Sequence, residues 1–238
     1  MNNNGTELKT LIFSTTEIWA ALFSQRVDSL VMFEDISAHH PKDEEMIYAL
    51  RDMVKRELME YADDKVRLTE LGKKYFAPFK AVSYCFFENS NENLRPTRGV
   101  YFSGDEVRIL EADERKQGYF KLSAETIEMA AEDIFDLDFI PKDNSDEVEE
   151  ADNNKYEAIT PDELKDMQEI LYMIDRYPVN MAERDLRIVI KRGNVSDSIL
   201  LMGDGKLRNL PFDKENMKLI YRMAGSCSAE EILNYDFS

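Results

Sequence analysis

Histidine and cysteine are nearly missing from this chain, with two of each among 238 residues. Structural and catalytic zinc sites draw on clusters of both, and the sequence contains no CxxC, HxxxH or HExxH spacing. His39 and His40 are adjacent and precede Pro41, with Asp43, Glu44 and Glu45 nearby. Consecutive side chains in a loop seldom aim at one ion, so an exposed loop is expected there and no metal. Cys85 lies in the apolar run AVSYCFF, and Cys227 follows Gly225. Reactive thiols need electropositive, accessible surroundings, so Cys85 reads as core and no disulfide is expected. Apolar runs long enough to span a bilayer are also absent. The first residues, MNNNGTELKTLIFSTTE, show no basic stretch leading into an apolar one, so neither a membrane span nor a secretory signal is expected. The expected location is the reducing cytoplasm.

Positive charge is scarce too. The net charge is −18, and KDNSDEVEEADNNK (142–155) accounts for −4 of it, leaving −14 on the remainder. Affinity for nucleic acid comes largely from Lys and Arg displacing counterions, so a chain this acidic is poorly suited to phosphate backbones or anionic lipid. A basic or amphipathic protein partner fits better. Catalytic signatures are lacking as well. GDEV (104–107) and GDGK (203–206) are far too short for phosphate-binding loops and read as hairpin turns. Paired acids are too numerous to mark an acid–base site. No catalytic, cofactor-binding or metal-ligating residue is therefore assigned, no cofactor is expected, and the expectation is a protein that is not an enzyme.

What is present is a well-punctuated α+β pattern, with 13 Phe and 11 Tyr to build a core. Ser14 opens a helix over 12–23, with Glu17 completing an S-x-x-E box and Phe13 facing Ile18 as a staple. Ile18, Trp19, Leu22 and Phe23 form its apolar face. A connector over 26–35 leads to a helix over 42–60, where Met46, Ile47, Leu50, Met53, Val54 and Leu58 recur at helical spacing. EYADDKVRLT reads as a hairpin turning on Asp63-Asp64, and Thr69 caps ELGKKYFAPF, limited by Pro78. Strands follow at 80–88, in a hairpin around Ser103-Gly104-Asp105, and at GYFKLS, with Ser123 capping a helix. After the acidic stretch, Thr160 and Pro161 start a helix over 161–177. LRIVIKR, a second Gly-Asp hairpin, a helix between Asp213 and Gly225, and a short helix at SAEEILNY complete the chain.

Helix, hairpin and capped helix over 42–77 form a winged-helix-like order. As a DNA reader, the 42–60 helix would enter the major groove. Its bases Lys42, Arg51, Lys55 and Arg56 are outnumbered by Asp43, Glu44, Glu45, Asp52, Glu57 and Glu60, and Asp63-Asp64-Lys65 tips the wing. A winged-helix DNA-binding regulator is therefore the alternative reading and not the leading one.

The chain divides in sequence into a helical, winged-helix-like segment (1–80), a first strand–hairpin–helix half (81–141), the acidic linker (142–155) and a second half (156–238). VYFSGDEVRIL (100–110) and LLMGDGKLRNL (200–210) are similar, their loops differing by one residue. Duplication and chance account for that equally well.

Taken in order, STTEIWAALF, RELMEYADDKVRLTELGKKYFAPF, AVSYCFF, RGVYFSGDEVRIL, GYFKLSAETIEMAAEDIF and YEAITPDELKDMQEIL form a pattern. It resembles that of the EspG-like chaperones of type VII secretion systems. The resemblance covers most of residues 11–225. It implies a Trp-bearing first helix, a winged-helix-like segment and two related halves around an antiparallel sheet flanked by helices. It also implies a cytosolic, non-enzymatic adaptor that keeps a secretion substrate soluble by gripping the tip of its helical bundle. The Gly-Asp hairpins and the 161–177 helix are the candidate contact elements. The sequence singles out no contact residues and no oligomeric state.

Overall fold

The computed structural model describes residues 10–27, 30, 33, 36, 38–89, 98–113, 115–136, 170–179, 183–192 and 197–237. The acidic stretch 142–155, most of the 26–35 connector and the part of the expected 161–177 helix before residue 170 lie outside them. The class is α+β, as the sequence indicates: antiparallel sheets of hairpins with helices packed on them. Two compact units are present, Met1–Val82 with Arg98–Glu125, and Ser83–Thr97 with Thr126–Ser238. Each is thus discontinuous in sequence, whereas the segmentation read from the sequence runs along the chain.

In the first unit, strands β1 (Leu11–Ser14), β5 (Arg98–Ser103), β6 (Glu106–Ala112) and β7 (Tyr119–Glu125) pair in the order β1-β7-β6-β5. Helix α1 (Thr15–Ser24) starts in the expected way: Ser14 Oγ accepts from Glu17 N–H at 3.2 Å, and Glu17 Oε2 accepts from Ser14 N–H at 2.7 Å. Helix α2 (Asp43–Lys55) is shorter than the 42–60 expected. It closes at Arg56 because Glu57 takes a left-handed φ of 59°, with Glu57 N–H on Val54 O and Leu58 N–H on Met53 O, freeing Leu58 and Met59 to begin a hairpin. That hairpin, β2 (Met59–Ala62) and β3 (Lys65–Leu68), turns on Asp63 and Asp64, whose φ values of 53° and 57° are those of a type I′ turn.

Thr69 caps α3 (Glu70–Phe76), which passes at Ala77–Ala81 into a 3-10 turn holding Pro78. Thr69 also donates its hydroxyl to Glu57 O at 2.6 Å, and Gly72 sits so close to the Leu58 carbonyl that any Cβ would collide with it. Helix α2, the hairpin and α3 are therefore locked together as the winged-helix-like reading expects.

The second unit orders its strands β4-β8-β9-β10-β11: β4 (Tyr84–Asn89), β8 (Ile170–Pro178), β9 (Leu186–Lys191), β10 (Ser198–Gly203) and β11 (Lys206–Pro211). The helix expected over 161–177 is corrected in its described part. Ile170–Pro178 is a strand paired to β4 and β9, not the end of a helix. ILYMI is buried at nearly every position, and a strand covered on both faces loses the alternation that would distinguish it from a buried helix. The expected Ser123 cap is likewise corrected. Ser123 lies within β7 opposite Ile109, and Thr126 caps the short α4 (Ile127–Glu132). Helix α5 (Lys214–Ala224) is capped by Asp213 and ends at Gly225 as expected, and Ser228 supplies a capping box to α6 (Ala229–Asn234).

The two Gly-Asp hairpins have equal loops, contrary to the one-residue difference read from the sequence. Ser103 pairs with Glu106 and Gly203 with Lys206, each closing a two-residue turn. Three residues past the turn, each hairpin buries an arginine. Arg108 donates to the Lys74 and Tyr75 carbonyls at the end of α3, and Arg208 donates to Leu233 O near the end of α6. A third arginine, Arg176, is wholly buried. It donates to Ala224 O at the end of α5 and to Cys227 O beyond it, and forks onto Asp185 at 2.9 and 2.7 Å. Guanidinium groups thus satisfy helix C-terminal carbonyls that would otherwise be orphaned in the core.

Candidate functional site

The apolar face read for α1 divides in two. Ile18 and Leu22 are buried, but Phe23 is 63% exposed and Trp19 half-buried. The two aromatic rings stack face to face, centroids 4.8 Å apart and planes 9° apart. On α2, Met53 is fully buried, whereas Ile47 and Tyr48 are 51% and 68% exposed. Val54 on α2 and Tyr61 on the hairpin are exposed as well. Seven of the nine exposed large apolar residues among the described ones belong to the first unit. Ile12 and Tyr48 line a polar cleft, and Phe23 lines a separate apolar groove.

That groove has a volume of about 650 Å³. Trp19, Ala20 and Phe23 of α1 form one side, Met46 and Leu50 of α2 another, and Met59 and Val66 the hairpin side. Ser24, Arg26 and Lys65 complete the lining. The geometry follows from local sequence: Trp19 and Phe23 are one turn apart on α1, as are Met46 and Leu50 on α2, so each helix offers a ridge to the gap.

A second cleft of about 610 Å³ in the same unit is polar. It holds Glu17, 5% exposed, whose Oε1 lies 3.0 Å from Arg56 Nη1. Arg56 also reaches Asp52 at 3.4 Å and lies over the Phe13 ring at 4.5 Å. Burial raises the Glu17 carboxyl above its ordinary range, only partly opposed by its hydrogen bonds with Ser14 and the Arg56 charge. His39 is in this cleft, its Nε2 2.9 Å from Thr16 Oγ1. His40 is exposed and does not line the cleft. No group of three or more metal-ligating side chains occurs among the described residues. Cys85 is fully buried and its thiol is pushed far above the usual range by that burial, in keeping with a core role.

The other expected sites fare differently. Both Gly-Asp tips are exposed, with nothing within 4 Å of where a Cβ would stand at Gly104 or Gly205. They present no apolar side chain. The 161–177 contact helix is replaced by strand from residue 170. Of the bases considered for DNA, Arg56 is committed to Glu17. Arg67, on the hairpin, is held by Glu60 at 2.7 Å. Sequence reading missed the groove because an amphipathic helix covered by its own fold and one left partly open carry the same apolar periodicity.

No protein-family model matches the sequence, and no curated protein matches it. Among solved structures, the fold is similar to that of EspG5, the type VII secretion system chaperone of Mycobacterium tuberculosis, determined in complex with a PE25-PPE41 dimer. The TM-score is 0.52 at 10% identity, over 97% of this chain and 99% of that one. At that identity the likeness establishes a shared fold. No described helix is long and apolar enough to cross a membrane.

Proposed function

We propose that this chain is a non-enzymatic protein-binding adaptor or chaperone, acting in the cytoplasm on a helical client of a type VII secretion system. The observation that carries this reading is the apolar groove of the first unit, lined by Trp19, Phe23, Met46, Leu50, Met59 and Val66, with Phe23 exposed. Its support is the fold shared with EspG5, a chaperone solved in complex with a PE25-PPE41 dimer. The physical role is to cover client apolar surface that would otherwise aggregate, while the acidic exterior keeps the complex soluble.

The test is affinity capture from the native cell with the full chain as bait, followed by co-expression of each candidate and size-exclusion chromatography. A stoichiometric complex with a small helical secreted protein, whose solubility depends on the bait, is the expected result. Recovery of metabolic enzymes alone, or of no protein, would overturn the reading.

A further inference from the structure

Resting on the adaptor reading, we propose that the groove between α1 and α2 takes one amphipathic helix of the partner, apolar on one face and bearing carboxylates beside that face. The walls are two helical ridges, Trp19/Phe23 and Met46/Leu50, closed by Met59 and Val66 of the hairpin. Two such ridges accept the side chains of a third helix between them, spaced at i, i+3 or i+4, and i+7. The stacked rings give a flat wall that loses little conformational freedom on contact.

Charge selects among amphipathic helices. In a chain of net charge −18, the charged side chains lining this groove are Arg26 and Lys65, with no acid among them. Both are exposed, and neither forms an ion pair or a side-chain hydrogen bond with a described residue. Arg56 and Arg67 of the same unit, by contrast, are held by Glu17 and Glu60.

Arg26 occupies a position that favours glycine. It follows the α1 cap with φ 62°, its N–H on Phe23 O and the Val27 N–H on Leu22 O. A strained arginine where glycine would fit better is consistent with use of its side chain, which stands at the groove mouth. The charge of the groove lining is thus opposite in sign to that of the whole molecule. An acidic helix is drawn to the groove while a second copy, itself strongly acidic overall, is repelled.

Trp19 is the only tryptophan of the chain, so its emission reports the groove directly. The probe is a Trp-free designed helical peptide with Leu on one face and Glu flanking it, against the same peptide with Lys for Glu. Saturable change of Trp19 emission is expected with the Glu peptide, at least about tenfold tighter than with the Lys peptide, the gap narrowing as salt shortens the Debye length. Arg26→Gly and Lys65→Glu should each weaken the Glu peptide severalfold. Arg26→Gly relieves backbone strain, so a loss of binding there cannot be ascribed to unfolding. Phe23→Asp, at an exposed position, should abolish binding. Equal or reversed preference for the Lys peptide, or an unmoved emission, overturns the inference. So does a wild-type dimer that Phe23→Asp dissociates in light scattering, since the groove would then hold a second copy.

The capture experiment separates the two readings. If wild type and Phe23→Asp retain the same helical client, the groove inference fails and the adaptor reading stands. If wild type captures no client while the Glu peptide still binds, the adaptor reading fails and the groove's selectivity remains.

Discussion

Trp19 and Phe23 stack one helical turn apart, rings nearly parallel at 4.8 Å, with Phe23 63% exposed and Trp19 half-buried beneath it. Phe23 therefore shields the indole without anchoring the core. Phe23→Ala should red-shift Trp19 emission as water reaches the ring. Stability should change by no more than about 1 kcal/mol, because little buried area is lost. Fluorescence and thermal melting of the same sample check both. An unshifted emission would mean that another side chain covers the indole.

Gly72 ties α3 to the end of α2, its Cα hydrogen position facing the Leu58 carbonyl. Gly72→Ala should cost about 1–3 kcal/mol, since a methyl there must push backbone rather than a flexible side chain. Thermal unfolding measures it. A neutral effect would show that the hairpin can pull away from α3 freely.

Arg176 is wholly buried and forks onto Asp185 while holding the Ala224 carbonyl at the end of α5 and the Cys227 carbonyl beyond it. Arg176→Ala should cost about 3–5 kcal/mol, leaving Asp185 and the two carbonyls without their donor. Arg176→Lys should recover little, because an ammonium cannot reproduce the planar fork. Denaturant unfolding distinguishes the two variants, and full rescue by Lys would contradict this account.

Glu17 makes stability depend on pH in an unusual direction for a carboxylate. Burial raises its folded pKa, so the folded state binds that proton more tightly than the unfolded chain does. The resulting contribution is complete below the unfolded carboxylate range and is lost as pH rises through the folded value. Glu17→Gln removes the titration and keeps an acceptor for the Ser14 N–H. Wild-type stability minus that of the variant should therefore fall as pH is raised from about 4 toward 7. A difference that grows with pH would mean that the Arg56 attraction outweighs burial.

Most of the fold was legible wherever a local chemical signal fixes the chain. Ser14, Thr69 and Asp213 all cap as their spacing indicates, and Asp63-Asp64 turns as such a pair should. The failures share a cause. ILYMIDRY is apolar on both strand faces, so its identity depends on partners β4 and β9, which are distant in sequence. Ser123 is a good cap by composition, yet pairing with Ile109 extends β7 through it to Glu125. No local signal marks arginines 108, 176 and 208 as buried, because the carbonyls that hold them come from elsewhere in the chain. The groove was invisible for the same reason: which apolar residues of α1 and α2 stay uncovered is decided by packing, not by periodicity.

The central claim is that the first unit holds a helical protein partner across α1 and α2. Hydrogen–deuterium exchange on the full chain, alone and in complex with its captured client, tests it most directly. Slowed exchange over Thr15–Ser24 and Asp43–Lys55, with the Lys65–Leu68 strand, is the predicted result. Unchanged exchange in these segments, with protection confined to the second unit, would contradict it.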